Sequence, residues 1–235
     1  MKATEPWQRR ADRAAVLRDQ YPATREILSF YARLAVWQRD AAPAVRGFAD
    51  LGGVAESLLD LVRGSGPPAL ASLARELTPA GAGSLAAQNW ESPGTLNANE
   101  FFARALLGLY AAALPGGIDC PWCALPPLAG CLRPQGDGLA LELICALCFR
   151  GRSYPGARCP HCEESSGSRL ASYTTPELPH LRLRACDGCM GYLILVDLGR
   201  EPRAIPEVDE LAGLPLDLWA VAQGYRKLQP NIAGV

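Results

Sequence analysis

The stretch ARCPHCEES, residues 157–165, places Cys159 and Cys162 two residues apart. A pair with this spacing binds a metal ion, works as a redox dithiol or closes a disulfide. The nine cysteines of the chain are an odd number, so they cannot all pair with one another. Residues 2–20 are charged throughout and lack an apolar leader, which predicts a cytoplasmic, reducing location and argues against disulfides.

Three further CxxC pairs accompany this one within a short part of the chain. The four pairs are Cys120/Cys123, Cys145/Cys148, Cys159/Cys162 and Cys186/Cys189, with 21, 10 and 23 residues between consecutive pairs. The alternation of long and short gaps indicates two copies of CxxC…CxxC, and each copy matches a ribbon-type metal site. A long gap accommodates two strands and a turn, so we expect one hairpin for each site.

Four thiolates in a tetrahedron favour zinc or iron over magnesium or calcium, and the spacing does not choose between the first two. We therefore expect two metal ions per chain, iron or zinc, held by the eight paired cysteines. An iron–sulfur cluster and crossed ligation, in which the first and third pairs share an ion, remain open. A redox dithiol is disfavoured because none of the pairs opens a helix within a βαβ pattern.

The remaining candidate residues predict no further site. Cys131 lies outside the pairs and is expected to be a small apolar side chain. The only histidines, His161 and His180, are expected neither to ligate metal nor to transfer protons. Without a clustered triad, a phosphate loop or paired carboxylates, the sequence predicts a protein that is not an enzyme. It also contains no apolar run of about 18 residues, the length that predicts a membrane span.

Apolar periodicity divides the rest of the chain. Helical spacing is found in residues 23–41, 54–64, 67–77 and 97–114. Residues 139–145, 169–175 and 180–186 alternate as strands do, and the apolar run at 191–199 predicts a buried strand. We expect Tyr31, Trp37, Phe101 and Phe102 in the helical core. The C-terminal stretch returns to helical spacing, and Gly213 with Pro215 should break it in two.

These patterns predict an α+β fold. An N-terminal all-α helical domain is followed by two tandem zinc-ribbon β modules and a C-terminal helical tail. The expected bounds are residues 1–116 for the helical domain, 117–156 and 157–204 for the two ribbons, and 205–235 for the tail.

Charge bears on the kind of partner. Eight arginines and eight acidic residues lie between residues 115 and 200, so the ribbons carry no basic surplus. Nucleic-acid binders normally show one, which favours a protein partner. The alternative is a ribbon-type nucleic-acid-binding protein with structural zinc, in which Arg150, Arg152 and Arg158 form a local basic patch.

The cysteine pairs and the sequence after them resemble the formate dehydrogenase accessory protein family, FdhE. The resemblance is carried by CPWCALPPLAG from Cys120, CALCFRGRSYPGARCPHCEES from Cys145, and ACDGCMGYLILVDLGREPRAIPEVDELAGLPLDLWAVAQGYRKLQPN from Ala185. It implies a cytoplasmic assembly factor that binds the catalytic subunit of a respiratory formate dehydrogenase before twin-arginine export. It also implies rubredoxin-like sites that hold iron or zinc, with the eight paired cysteines as ligands.

Overall fold

Prolines and apolar stripes divide the N-terminal part of the chain into helices. The computed structural model describes residues 5–93, 98–114, 120–231 and 234. The N-terminal helices within these ranges are Glu5–Gln20 (α1), Arg25–Ala41 (α2), Leu51–Ser65 (α3), Pro68–Glu76 (α4), Pro79–Glu91 (α5) and Ala98–Ala113 (α6). Pro68 and Pro79 stand in first turns, where the missing N–H costs no helical bond. None of the described helices is both long enough and apolar enough to cross a bilayer.

Four of these helices were predicted, and two were not. Helices α2, α3, α4 and α6 occupy the four periodic segments. Helix α1 buries a narrow stripe that includes small side chains, and α5 begins where Thr78 accepts a bond from Gly81 N at 3.1 Å. Tyr31, Phe101 and Phe102 are buried as expected. Trp37 is only half-buried and donates to Ser57 Oγ at 2.9 Å.

The cysteine-rich part forms one continuous sheet. Its described strands are Ala129–Gln135 (β1), Gly138–Ile144 (β2), Gly151–Tyr154 (β3), Leu170–Tyr173 (β4), Leu181–Cys186 (β5), Gly191–Asp197 (β6) and Arg226–Lys227 (β7). The order is β3-β2-β1-β6-β5-β4, and β7 lies beside the start of β6. Pairing is antiparallel within each hairpin, whereas β1 and β6 run parallel and join the two hairpins.

The junction of β1 and β6 is apolar and tightly packed. Leu132, Leu141, Leu143, Leu193 and Leu195 form one buried cluster across β2, β1 and β6. At Gly130 an added Cβ would lie 2.3 Å from Leu195 Cδ2 and 3.0 Å from Leu141 Cδ1, so a side chain there would displace leucines of the core. The sheet core is therefore shared between the two hairpins.

The predicted fold class is confirmed, with one difference in how the ribbons are arranged. Helices precede a sheet region that carries both groups of cysteines, and helices follow it. The two expected modules are halves of a single sheet. The chain divides into two compact units after Trp122. The predicted boundary at 116/117 lies outside the described residues, and the other domain bounds stay predictions.

The C-terminal stretch forms two short helices, Pro206–Ala212 (α7) and Leu214–Ala222 (α8), which are separated at Gly213 as expected. Helix α8 differs from an ordinary surface helix, which buries its apolar side chains and exposes its charged ones. Its one charged residue, Asp217, is fully buried, while Leu218 and Val221 are 57% and 52% exposed. The helix therefore offers an uncharged apolar face to its surroundings.

A buried ammonium group accompanies the acidic side chains of these helices. Lys227 Nζ contacts Asp217 Oδ2 at 2.9 Å and also pairs with Glu210 Oε1. The lysine side chain is 3% exposed and both carboxylates are 0% exposed. Burial raises the pKa of Asp217 to about 6, although Lys227 acts in the opposite direction. Two buried carboxylates thus share one ammonium group.

Asp217 should make the free energy of unfolding depend on pH. Its folded pKa of about 6 exceeds the ordinary value of 3.8. The folded carboxyl therefore binds its proton more tightly, and its contribution to stability is lost as pH rises through about 6. Asp217→Asn should remove this dependence, so the parent should lose about 2 to 3 kcal/mol relative to the variant between about pH 4 and pH 7.

Urea unfolding of both proteins at several pH values measures this difference. Glu210→Gln, which removes the other partner of Lys227, serves as a comparison. A parent-to-Asp217→Asn difference that stays constant with pH would contradict the raised pKa.

Candidate metal centre

The first group of cysteines lies at one end of the β1–β2 hairpin. Cys120 directly precedes the short 3-10 turn Pro121–Ala124, and Cys123 lies within that turn, before β1. Cys145 and Cys148 follow β2. The register pairs Ala129 with Ile144, so both cysteine pairs come from the open end of the hairpin. The hairpin therefore brings the segment before β1 and the segment after β2 together at the site.

The second group is arranged in a similar way around β4 and β5. Cys159 and Cys162 precede β4, Cys186 ends β5, and Cys189 lies in the turn to β6. Cys186 is opposite Gly191, so the last pair sits within a tight turn. At Gly191 an added Cβ would lie 3.1 Å from Cys189 Sγ and 2.7 Å from Leu228 Cδ2, which explains the need for glycine.

The sulfur atoms have the spacing of a tetrahedral site. The two groups are Cys120, Cys123, Cys145 and Cys148, and Cys159, Cys162, Cys186 and Cys189; within each group all Sγ atoms lie within 4.8 Å of one another. Sγ–Sγ distances include 3.5 Å for Cys123–Cys148 and 3.6 Å for Cys162–Cys186. A regular tetrahedron with metal–sulfur bonds of about 2.3 Å requires about 3.8 Å. Disulfides, at about 2.05 Å, do not fit, and the grouping is sequential rather than crossed.

Burial and charge in these groups also fit a cation. In every pair the first cysteine is buried and the second is more exposed. Burial raises the pKa of Cys123 to about 12, with neighbouring thiols adding to the rise, and burial also raises the pKa of Cys189 to about 12. Thiols with such pKa values stay protonated at neutral pH unless a positive charge compensates the thiolates. A metal ion in each group would supply that charge.

Backbone N–H groups assist the sulfurs. Leu147 N donates to Cys145 Sγ at 3.5 Å. Backbone bonds from Cys162 and His161 oppose the effect of burial on the pKa of Cys159. At exposed Cys162 the bond from Glu164 dominates and lowers the pKa. The turns thus offset part of the negative charge that thiolates would carry, as outer-shell donors do in metal sites.

Three of the turns hold a non-glycine residue in the left-handed region. Phe149, Glu163 and Met190 have φ of 57°, 59° and 55°, and each directly follows the second cysteine of its pair. This conformation lets the chain reverse around the sulfurs, but it costs a residue with a Cβ about 1 to 2 kcal/mol. Strain of this kind is tolerated where the surrounding structure enforces it, and here it recurs at equivalent positions of three pairs.

The other candidate residues take structural positions. Cys131 is fully buried in β1, as expected for a small apolar side chain, and burial raises its pKa to about 11. His161 is exposed between two cysteines. His180 is buried, and its Nε2 lies 3.0 Å from Asp209 Oδ1, so this ring is held by a carboxylate and belongs to neither group of cysteines.

The ion cluster of Lys227, Glu210 and Asp217 was missed at the sequence level. Acidic residues near the start of a helix are favourable in themselves, so their positions do not indicate burial. Two signals were present: Asp217 is the single charge in LPLDLWAVA, and Lys227 is one of two lysines among 23 basic residues. A lone charge in an apolar helix indicates a buried partner, but it does not say which residue supplies it.

A helical region followed by a sheet with two four-cysteine groups defines a ribbon-type metal-binding protein. The model of the FdhE C-terminal domain matches residues 157–233, which include the second group and the C-terminal helices. Residues 157–233 are therefore similar to the FdhE C-terminal domain. The resemblance predicted from the cysteine pairs is confirmed.

Curated relatives match parts of this chain, and a solved structure shares its fold. The chain is 36% identical over 118 residues to the "Protein FdhE homolog" of Pseudomonas aeruginosa, and 27% identical over 116 residues to that of Aquifex aeolicus. These alignments cover 48% and 49% of this chain, and only 38% and 41% of the relatives' lengths. The crystal structure of the FdhE protein from Pseudomonas aeruginosa has the same fold, with a TM-score of 0.69 at 24% identity over 96% of this chain and 94% of that one.

The left-handed turns predict a stabilising substitution. Glu163 is exposed and has φ of 59°, so Glu163→Gly removes the clash of the Cβ at this position. Glu163→Ala is the matched control because it removes the same carboxylate and keeps the Cβ. The glycine variant should be more stable than the alanine variant by about 0.5 to 1 kcal/mol, once the entropy that glycine loses on folding is subtracted. Thermal unfolding measures the difference, and a less stable glycine variant would show that the turn is unstrained.

Proposed function

We propose that this chain is a cytoplasmic assembly factor that binds the catalytic subunit of a respiratory formate dehydrogenase and is needed for its activity. The observation that carries the proposal is the match of residues 157–233 to the FdhE C-terminal domain, together with four cysteine pairs gathered into two groups. The partner and the role follow from the family resemblance. The proposal includes no catalysis by the chain itself.

The metal sites are part of this proposal. The eight paired cysteines would bind one ion in each group, iron or zinc. Four thiolates occupy all four coordination positions of a tetrahedral metal ion, so such a site has no open position for a substrate. Its contribution is to hold two strand ends and a turn in place, which suits a protein that presents a shaped surface to another protein.

Helix α8 is where we propose contact with the partner. Its outward side carries Leu218, Trp219 and Val221 without a charged residue. Trp219 is 38% exposed, and the centroid of its ring lies 4.6 Å from the centroid of the Tyr173 ring. Aromatic side chains on an uncharged surface are typical of contacts between proteins, whereas phosphate binding needs arginine or lysine at the surface.

Substituting cysteines of one group should remove the ion of that group and leave the ion of the other. Protein purified from its own host should hold two ions per chain, and a Cys123→Ser/Cys148→Ser variant should keep one of them. A Cys162→Ser/Cys189→Ser variant should keep the other, because two remaining thiolates bind an ion poorly. Cys131→Ala is the control and should keep both, since this cysteine belongs to neither group.

Elemental analysis of these four proteins tests the assignment and identifies the metal. Parent protein without metal, or a loss on Cys131→Ala, would overturn it. Iron with a reversible absorbance change on reduction would add electron exchange to the role of the sites.

The partner should be recovered with the intact chain. We expect the catalytic subunit of a formate dehydrogenase to co-purify with the parent, and about tenfold less of it with Leu218→Glu, because a charge in an apolar interface must lose its hydration. Val16→Glu is the matched control, since Val16 is another exposed apolar side chain, at 46%, on α1. Formate oxidation should be low in a strain that lacks the gene.

Two results would contradict this function. Normal formate oxidation in the deletion strain would exclude a required assembly factor. Retention of the purified chain on DNA or RNA that weakens steeply with salt would instead support the nucleic-acid-binding alternative.

A further inference from the structure

The segment after α8 lies directly against the turn that carries Cys186 and Cys189. Tyr225 Oη donates to Asp187 Oδ1 at 2.6 Å. Arg226 N donates to Met190 O at 2.8 Å, and Leu228 N donates to Tyr192 O at 3.0 Å. These three bonds fasten the segment to the turn from inside the last cysteine pair to the start of β6.

Side-chain packing continues the same contact. Leu228 Cδ2 and Cys189 Sγ lie on the same side of Gly191, where an added Cβ would be 2.7 Å from the first and 3.1 Å from the second. Leu228 also packs against the leucine cluster of the sheet. Any movement of β7 away from β6 would therefore loosen the backbone around a proposed metal ligand.

Lys227 holds this segment from the other side. Its ammonium group, 3% exposed, lies between the buried carboxylates of Glu210 on α7 and Asp217 on α8. Asn231 Nδ2 also donates to Glu210 Oε1, at 2.9 Å. The backbone of Lys227 belongs to β7 and pairs with Tyr192 of β6. One residue thus connects the two C-terminal helices to the strand that follows the turn.

This connection is strong and specific to lysine. Removing one partner of a buried ion pair leaves uncompensated charge in the interior, which is strongly destabilising locally. A compact ammonium with three donors fits between two carboxylates, whereas the planar guanidinium of arginine needs more room. Lys227 is the one lysine among the described residues, and its ammonium group contacts both carboxylates.

We propose that Lys227 is a positioning residue for the second metal centre: it keeps β7 on β6 and thereby holds the Cys186–Cys189 turn in its ligating geometry. The inference rests on the proposed binding of metal by Cys159, Cys162, Cys186 and Cys189. It assigns no such role toward the first group, whose cysteines lie on other turns.

Cobalt binding to the full chain tests this proposal one site at a time. Lys227→Met is made in two backgrounds: Cys123→Ser/Cys148→Ser, which keeps only the second group, and Cys162→Ser/Cys189→Ser, which keeps only the first. Arg226→Met is the matched control, because it removes a neighbouring exposed cation from the same strand. Cobalt affinity is read from thiolate charge-transfer bands, and site geometry from the ligand-field bands.

Lys227→Met should weaken cobalt binding by the second group about 10-fold to 100-fold, the range typical of outer-shell partners of metal ligands. Its ligand-field bands should also change, while binding by the first group and by both Arg226→Met proteins should match their backgrounds. Equal weakening of both groups would mean general destabilisation and overturn the proposal. Unchanged affinity at the second group would overturn it as well.

Two controls keep the result interpretable. Tyr225→Phe leaves the buried ions intact and removes the hydroxyl that bonds to Asp187 and to Tyr173. It should weaken cobalt binding by the second group alone, even if Lys227→Met does not fold, and no effect would count against the proposal. If the unsubstituted backgrounds bind no cobalt, the proposed metal sites themselves fail. If they bind and Lys227→Met matches its parent, only the role of Lys227 fails.

Discussion

The parallel pairing of β1 with β6 is the interaction on which the C-terminal unit depends. Each hairpin alone has too few apolar side chains for a core, and the leucine cluster exists only because the two hairpins meet. Gly130 stands at this pairing, where a side chain would displace the leucines packed around it. Helix α7 contacts both strands of the pair. The placement of the cysteine groups and of the C-terminal helices on one frame follows from this single contact between distant parts of the chain.

The local features of this frame could be predicted from sequence, whereas the contact itself could not. Cysteine spacing determines which turns hold sulfurs, and the gap lengths indicate a hairpin between them. Strands β2, β4 and β5 lie in alternating segments, and β6 is a continuous apolar run that is buried throughout. The gap length requires a strand before β2, but periodicity does not locate β1, because Gly130 and Pro134 interrupt its pattern. Its parallel partner lies far along the chain. Periodicity reports the faces of one element and does not identify the partner of that element.

The same limit explains the helices and the ion cluster. Helix α5 carries Gly81 and Gly83, which lower intrinsic helix propensity, and only its tertiary contacts and its cap at Thr78 compensate for them. The carboxylates of Glu210 and Asp217 are unremarkable by spacing, since a helix tolerates acids near its start. Their burial depends on an ammonium group that comes from β7. For the metal centres, the sequence therefore indicates the eight proposed ligands but not the residues that brace one of their turns.

The scarcity of lysine has a consequence for chemical modification. Of the two lysines in the chain, Lys2 lies outside the described residues and Lys227 is buried between carboxylates. Within the described part, the surface presents guanidinium groups and no lysine amine. Acetylation and ubiquitination, which act on that amine, would reach Lys227 only after β7 has left β6. Reactivity of this one side chain toward an amine reagent would therefore report release of the C-terminal segment.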